Sequence, residues 1–263
     1  QRKKATLWRK IICDVRHFHR THAIQIKHRL IFRKVDHMKK RFAAAAAALV
    51  AAVGMSALVG CSHTVTLTDY VSEYRSNIYS GTLESYSVFA TYSEREYPYI
   101  ADGNVGDMTS LFEVTLAVSD NTKTYEISFS CGGKEYTADL SFDSVRMVHC
   151  WSQSMEEPTE NEIVFSIRDA DDADAESVTV TATSLRDENT LSLSDLLTRV
   201  FAEKQARFEA LTDGSSFAGE LYVRLLAGKS GCLYYVGLID RTGNTYAMLA
   251  DATTGEVLAS HEN

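Results

Sequence analysis

Lysine and arginine are scarce in most of this 263-residue sequence. From position 61 onward the chain has 13 Lys/Arg against 33 Asp/Glu, which gives a formal net charge of −20. So few cations argue against nucleic-acid binding, because phosphates need basic partners. Histidine is scarce as well, since the same stretch has only His63, His149 and His261. A zinc site or a histidine-based catalytic group therefore has few residues from which to form.

The first 37 residues have the opposite composition. Residues 1–37 contain 11 Lys/Arg, five His and two acidic residues, and the sequence begins with Gln rather than Met. A basic stretch of this kind can bind nucleic acid or a membrane surface. We favour the interpretation that residues 1–37 are translated from upstream of the true start at Met38, because a well-formed export signal follows directly. We therefore leave them out of the fold prediction.

Residues 38–60 have the parts of a secretory signal peptide. A short basic start is followed by an uncharged, alanine-rich stretch of 18 residues, and small residues precede a polar segment. The tetrapeptide Leu58-Val59-Gly60-Cys61 resembles the lipobox of bacterial lipoproteins. An uncleaved transmembrane helix is the alternative. It needs about 20 apolar residues, and this weakly apolar stretch is slightly shorter.

The lipobox resemblance implies that a diacylglyceryl group is attached to the Cys61 thiol and that the preceding residues are removed. Two acyl chains give stable anchoring. We therefore expect a lipid-anchored protein at the extracytoplasmic face of the cell membrane, with the membrane as a partner and no cofactor besides this lipid. The polar residues 61–81 are expected to be the lipidated tether.

Short β-prone runs follow between residues 82 and 185. In Tyr125–Ser130 apolar and polar residues alternate, as in a half-buried strand. Gly132-Gly133 predicts a two-residue hairpin turn, because both glycines can adopt a positive φ. The predicted strands are Leu83–Tyr92, Leu111–Val118, Thr124–Cys131, Glu135–Phe142, Val145–Trp151, Glu162–Ile167 and Ser177–Thr183. Short strands at this spacing predict an antiparallel β-sandwich-like domain at 82–185.

The pattern becomes helical at Ser192–Asp213. Apolar residues recur there at helical spacing, Ser192 and Asp195 resemble a capping box, and Gly214 follows the end of the predicted helix. Further strands are predicted at Leu221–Leu226, Cys232–Ile239, Thr245–Ala250 and Glu256–Ala259. A helix on a small antiparallel sheet is a stable two-layer arrangement. The prediction for the whole chain is therefore an α+β fold, with a second, helix-plus-sheet domain at 190–263.

The end of the chain resembles a PepSY domain. The resemblance rests on the runs 234–240 and 251–258, which match the strand, turn and tail that close such domains. Asp251 can cap the turn and Gly255 can supply its left-handed residue. The resemblance implies an extracytoplasmic module that binds or restrains proteins, often peptidases, has no catalytic residues, and lies on a Gram-positive cell surface. A generic helix-plus-hairpin domain is the alternative.

The remaining cysteines do not form an obvious pair. Cys131, Cys150 and Cys232 are an odd number, although export would permit a disulfide. Cys131–Cys150 is the natural pairing, but the expected hairpin register places Cys150 opposite Thr137. The two cysteines would then be two strands apart, farther than the roughly 7 Å between Cα atoms that a disulfide allows. The disulfide stays open, and buried free thiols are favoured.

Two clusters are candidate ligand sites. Asp169, Asp171, Asp172 and Asp174 form a dense carboxylate run that could bind calcium weakly, although the glycine of a typical calcium loop is missing. A solvated loop is favoured for this run. A second cluster, Tyr92, Tyr97 and Tyr99, would form a ligand platform if exposed and part of the core if buried.

The function expected from these patterns is non-enzymatic. The leading hypothesis is a protein- or peptide-binding lipoprotein of the cell envelope, with an envelope protein or peptidase as partner. The alternative is a carbohydrate- or ligand-binding lipoprotein that uses the tyrosine cluster. An open sheet edge would favour the first hypothesis, and an aromatic groove the second.

Overall fold

The computed structural model describes residues 65–100, 104–172, 174–214, 216–229 and 231–262. The predicted upstream segment, signal peptide, lipobox and lipidation site at Cys61 lie outside these ranges. Among the helices in the described ranges, none is both long and apolar enough to cross a membrane.

The described chain is mostly β, with thirteen strands in one sheet and two in a separate ribbon. The strands of the sheet are β1 (Val71–Leu83), β2 (Tyr86–Glu96), β3 (Met108–Ala117), β4 (Tyr125–Cys131), β5 (Lys134–Asp139), β6 (Ser141–Asp143), β7 (Val148–Gln153), β8 (Glu162–Asp169), β9 (Val178–Ser184), β12 (Gly219–Ala227), β13 (Cys232–Asp240), β14 (Thr245–Asp251) and β15 (Val257–Glu262). The ribbon consists of β10 (Thr212–Asp213) and β11 (Ser216–Phe217). The helical elements are a 3₁₀ turn (Leu67–Tyr70), α1 (Leu193–Glu203) and α2 (Gln205–Glu209).

The first nine strands form an N-terminal lobe in which the sheet curls almost closed around a core. The hydrogen-bonded order is β6-β7-β3-β2-β1-β9-β8-β4-β5. Strand β5, at one edge of this order, continues through Leu140 into β6, at the other edge, so the two edges of the sheet meet. The core includes Phe112, Phe129 and Phe165 from three different strands. One curled sheet thus takes the place of the two separate sheets that a sandwich would have.

The C-terminal lobe is an antiparallel meander of β12 to β15 with α1 against it. The Ser192 hydroxyl accepts a hydrogen bond from Asp195 N at 3.1 Å, which confirms the predicted helix cap. Leu196, Leu197 and Val200 of α1 are buried in a second core with the apolar residues of the meander. The helix is shorter than predicted, because it is interrupted at Lys204 before α2 begins.

Strand β1 joins the two lobes and occupies much of the predicted tether. The tether was expected to reach residue 81, but β1 is a 13-residue strand that begins at Val71. It pairs antiparallel with β2 and β9 and parallel with β12. Tyr79 is buried in the core of the N-terminal lobe and Ile78 in that of the C-terminal lobe. Because Ser72 and Ser76 are also buried, β1 lacks the apolar alternation that identifies a strand in a sequence.

The hairpins test the predicted registers. Gly132 and Gly133 have φ values of +58° and +71°, and Cys131 lies opposite Lys134, so the first predicted turn is confirmed. The next register is wrong: Cys150 lies opposite Ser141 and Thr115 rather than opposite Thr137, because β6 precedes β7 in the ladder. Cys131, Cys150 and Cys232 are all free thiols, so the Cys131–Cys150 disulfide is not formed.

Candidate functional site

Strand β1 changes its hydrogen-bonding neighbour partway along its length. On one side it pairs with β2 from Glu73 to Leu83. On the other side it pairs first with β12, as far as Arg75, and then with β9, from Tyr79 onward. The sheet therefore forks beside residues 76–78. Changes of strand neighbour and seams between lobes are places where ligand sites form, because side chains from several elements converge there.

An open cleft of about 870 Å³ lies at this fork. Its size falls within the range of roughly 300–1,000 Å³ that is typical of ligand pockets. The lining comes from three segments that are far apart in sequence: Asn77 of β1, residues 157–161 between β7 and β8, and residues 183–189 at the end of β9, of which all but Leu185 contribute. We call this the fork cleft.

Asn77 ties β1 to β9 at the fork. Its Oδ1 accepts hydrogen bonds from Ser184 Oγ and from Ile78 N, both at 2.8 Å. Its Nδ2 donates to the Tyr79 hydroxyl at 3.1 Å, and that hydroxyl donates to the Glu160 carbonyl oxygen at 2.9 Å. Burial raises the pKa of Tyr79, so the hydroxyl keeps its proton at neutral pH. The amide is thus held in one orientation by partners on all sides.

Glu157 and Arg186 form an ion pair in the lining. Arg186 Nη1 lies 3.5 Å from Glu157 Oε1, which also accepts a hydrogen bond from Ser76 Oγ. Both charged side chains are substantially exposed, and exposed ion pairs stabilise a fold by less than about 1 kcal/mol. The structure therefore loses little if a ligand replaces one partner of this pair.

Glu160 is held by the β4–β5 hairpin. Its carboxylate accepts hydrogen bonds from Gly132 N at 2.7 Å and Thr159 N at 3.0 Å, and the Cys131 thiol lies 3.6 Å away. The backbone hydrogen bond from Gly132 lowers the pKa of Glu160. Burial raises the pKa of Cys131 to about 12. Glu160 is therefore an ionised structural group at neutral pH, and Cys131 is a protonated thiol with little nucleophilic character.

The lining is acidic as a whole. It has four carboxylates, from Glu157, Glu160, Asp187 and Glu188, against the single guanidinium of Arg186, which leaves a formal charge of −3. Asp187 accepts hydrogen bonds from Asn189 N and Thr190 Oγ1, and the bond from Thr190 lowers its pKa. Glu188 is exposed, and among the described residues it has no hydrogen-bond or ion-pair partner.

The chemistry of the fork cleft favours the binding of a polar, cationic group. Its lining residues include no histidine, lysine or cysteine. The Ser184 hydroxyl donates to Asn77 Oδ1 and accepts a hydrogen bond from Arg186 N at 3.2 Å, so no general base activates it. What the cleft offers a ligand is negative charge together with hydroxyl, amide and backbone hydrogen-bonding groups.

The three tyrosines of the predicted ligand patch lie in different surroundings. Tyr92 is 4% exposed and belongs to the core of the N-terminal lobe. Tyr97 is 68% exposed just beyond the end of β2. Tyr99 packs against Tyr222, with 5.4 Å between ring centroids, and its hydroxyl donates to Glu220. The three rings therefore do not form a single platform.

The predicted calcium ligands are bound to local partners. Asp169 forms an ion pair with Lys123 at 2.9 Å, and Asp171 accepts a hydrogen bond from Thr124 Oγ1 at 2.6 Å. Asp172 accepts one from Asp174 N at 3.0 Å. Within the described part of the chain, no three His, Cys, Asp or Glu side chains converge in a way that could hold a metal ion. Asp169 ends β8, and Asp171, Asp172 and Asp174 are exposed between β8 and β9.

Compared with protein-family models, with curated proteins and with solved structures, the chain matches none. The resemblances to lipoproteins and to PepSY domains therefore stay predictions from the residues that carry them.

Proposed function

We propose that this protein is a non-enzymatic binding module of the cell envelope that is anchored through a lipid on Cys61 and captures a basic segment of another protein in the fork cleft. The observation that carries the proposal is the lining of the cleft, with four carboxylates against one guanidinium. Such a site attracts Lys- or Arg-containing chains and repels acidic ones.

A peptide fits the cleft better than an apolar small molecule does. Small-molecule pockets are lined mostly by hydrophobic residues, whereas every lining residue here except Pro158 has a polar side chain. Asn161, Thr183 and Asn189 add amide and hydroxyl groups that can hydrogen-bond to the backbone of a bound segment. The resemblance of the C-terminal lobe to PepSY domains supports a protein partner, such as an envelope peptidase.

Binding can be tested by fluorescence anisotropy with a short labelled peptide of alternating Lys and Ser. We expect saturable binding that weakens with salt, and no binding of the matched Glu/Ser peptide. Glu188→Gln should weaken binding by roughly two- to fivefold, as expected for one exposed charge. Asp139→Asn removes the same charge from an exposed position at the end of β5 away from the hairpin turn that holds Glu160, and should leave binding unchanged. Equal affinity for both peptides, or equal effects of both variants, would contradict the proposal.

The anchor is tested separately. A Cys61→Ser variant should lose incorporation of a radiolabelled fatty acid and leave the membrane fraction, because we propose this thiol as the attachment point for the lipid. Retention of the label in this variant would show that the lipid is attached elsewhere. Retention in the membrane fraction without the label would show that the membrane association has another cause.

A further inference from the structure

One end of the sheet carries exposed apolar side chains next to the point where the chain enters the fold. Tyr97 and Ile100 follow β2 and are 68% and 58% exposed, and Met108 at the start of β3 is 41% exposed. Tyr99 between them is 43% exposed. We call these four residues the β2–β3 patch.

The patch has a fixed position. The Tyr99 ring rests on Tyr222 of β12, and Tyr97 N donates a hydrogen bond to the Asp107 carbonyl oxygen at 3.1 Å. The side chains of Tyr97 and Ile100, on either side of Tyr99 in the sequence, are therefore presented to solvent next to a ring that packs against the sheet. Tyrosine and aliphatic side chains in this arrangement suit the boundary between lipid headgroups and acyl chains.

The strand register places the patch at the same end of the molecule as the N-terminal end of β1. Glu96 at the end of β2 lies opposite Met108, and Arg95 lies opposite Glu73, near the start of β1. The far end of β1 is Leu83, about 40 Å away for a strand of this length. A second exposed apolar group, at the β6–β7 turn, lies at that far end because Leu116 pairs with His149 there.

The length of chain before the fold limits how far a lipid on Cys61 can lie from the patch. Cys61 precedes Val71 by ten positions, so the intervening chain spans at most about 36 Å. It is shorter still where the 3₁₀ turn at Leu67–Tyr70 compacts it. This reach is less than the roughly 40 Å to the far end of β1, so a lipid on Cys61 can lie beside the patch but cannot reach the β6–β7 turn.

We infer that the β2–β3 patch is a second membrane contact, which inserts into the headgroup region of the bilayer to which Cys61 is anchored. The inference rests on the lipid anchor of the proposed function but not on peptide capture in the fork cleft. The contact would hold the sheet with the β6–β7 turn pointing away from the membrane. Because the chain is acidic after Cys61, the contact depends on the apolar and aromatic side chains rather than on anionic lipids.

For the test, the full-length sequence is expressed in a bacterium and the protein is purified after processing. It is then bound to vesicles of phosphatidylcholine with brominated acyl chains. Tyr97→Trp is compared with Val145→Trp, which is 92% exposed at the opposite end. Trp151 contributes the same background to both variants. We expect the tryptophan at position 97 to shift its emission to the blue and to be quenched by the bromines, and the one at position 145 to do neither.

Each other outcome overturns the inference. Quenching at position 145 alone or at neither position would show that the patch does not face the bilayer, and quenching at both would show that the contact does not hold the protein in one orientation. A blue shift at position 97 that depends on protein concentration and needs no lipid would indicate a protein partner instead. Mass spectrometry of the same sample reports the lipid on Cys61. If that lipid is absent, the geometric premise fails together with the proposed anchor, whereas the peptide titration at the fork cleft is unaffected by either result.

Discussion

The imidazole of His149 is enclosed between two aromatic rings in the N-terminal lobe. Its ring centroid lies 4.9 Å from that of Tyr125 and 5.0 Å from that of Phe142, and the residue is 1% exposed. Among the described residues, neither of its ring nitrogens has a hydrogen-bond partner. Burial lowers the pKa of His149, because the charged form loses its hydration without gaining a partner.

This arrangement makes the free energy of unfolding depend on pH in one direction. The histidine is neutral in the folded protein and gains a proton on unfolding below about pH 6.5, the ordinary histidine pKa. The unfolded state then binds more protons, so the folded state loses stability as the pH falls through this region. The slope from one such group cannot exceed about 1.4 kcal/mol per pH unit, and it ends at the lowered pKa of the folded state.

His149→Phe should remove this slope and raise stability at neutral pH. A buried polar atom without a partner costs about 1–3 kcal/mol, and phenylalanine of similar shape removes both ring nitrogens. The tighter fit of the larger ring offsets part of the gain, so we expect a net gain of about 1 kcal/mol. Urea unfolding at about pH 7.5 and about pH 5.5 measures both effects as shifts in midpoint, and His261→Gln serves as a histidine control outside the core. A parallel loss of stability with pH in His149→Phe and in the original protein would refute the reasoning.

Two further predictions concern the backbone and the helix. A Cβ added at Gly81 would lie 2.2 Å from the Thr181 carbonyl oxygen and 2.9 Å from Ala182 Cα, so Gly81→Ala should destabilise the fold by about 3 kcal/mol through displacement of β9. The neighbouring Ser80→Ala should have a much smaller effect in the same urea titration, and similar midpoints for the two variants would argue against the close approach of these strands. Ser192→Ala should cost about 1 kcal/mol because it removes the cap of α1, and Ser192→Thr, which keeps the hydroxyl, should restore most of the loss. Ser194→Ala on the same helix is the control. If thermal unfolding followed by circular dichroism shows an equal loss of stability in Ser192→Ala and Ser194→Ala, the cap has no effect.

The strands that the sequence predicts best are those with one buried face. In β4 the buried residues Tyr125, Ile127 and Phe129 alternate with less buried ones, and β8 shows the same alternation. This pattern follows from the pleat of a strand and needs no knowledge of its neighbours. The Gly132-Gly133 turn and the Ser192 cap were predictable for a similar reason, since each depends on residues adjacent in sequence.

The errors arise where distant parts of the chain decide the outcome. Which residue lies opposite Cys150 depends on whether a short strand forms at residues 141–143. The hydrophobic pattern of these residues does not reveal that strand. Tyr92 is in the core while Tyr97 is exposed, because β2 ends between them, at Glu96. The end of a strand thus places two tyrosines that are close in sequence in different environments.

The fork cleft and the missed strand have a common cause. Ser76 and Asn77 are polar residues of β1, and they made residues 61–81 resemble a tether. In the structure Ser76 binds Glu157, and Asn77 binds Ser184, so both hydrogen-bond to groups that line the cleft. A buried polar residue is tolerated where a partner satisfies it, and here the partners lie 81 and 107 positions away. The polar residues that break the alternation of β1 are therefore the ones that hold groups of the cleft lining in place. Such breaks in a local sequence pattern are expected at binding surfaces.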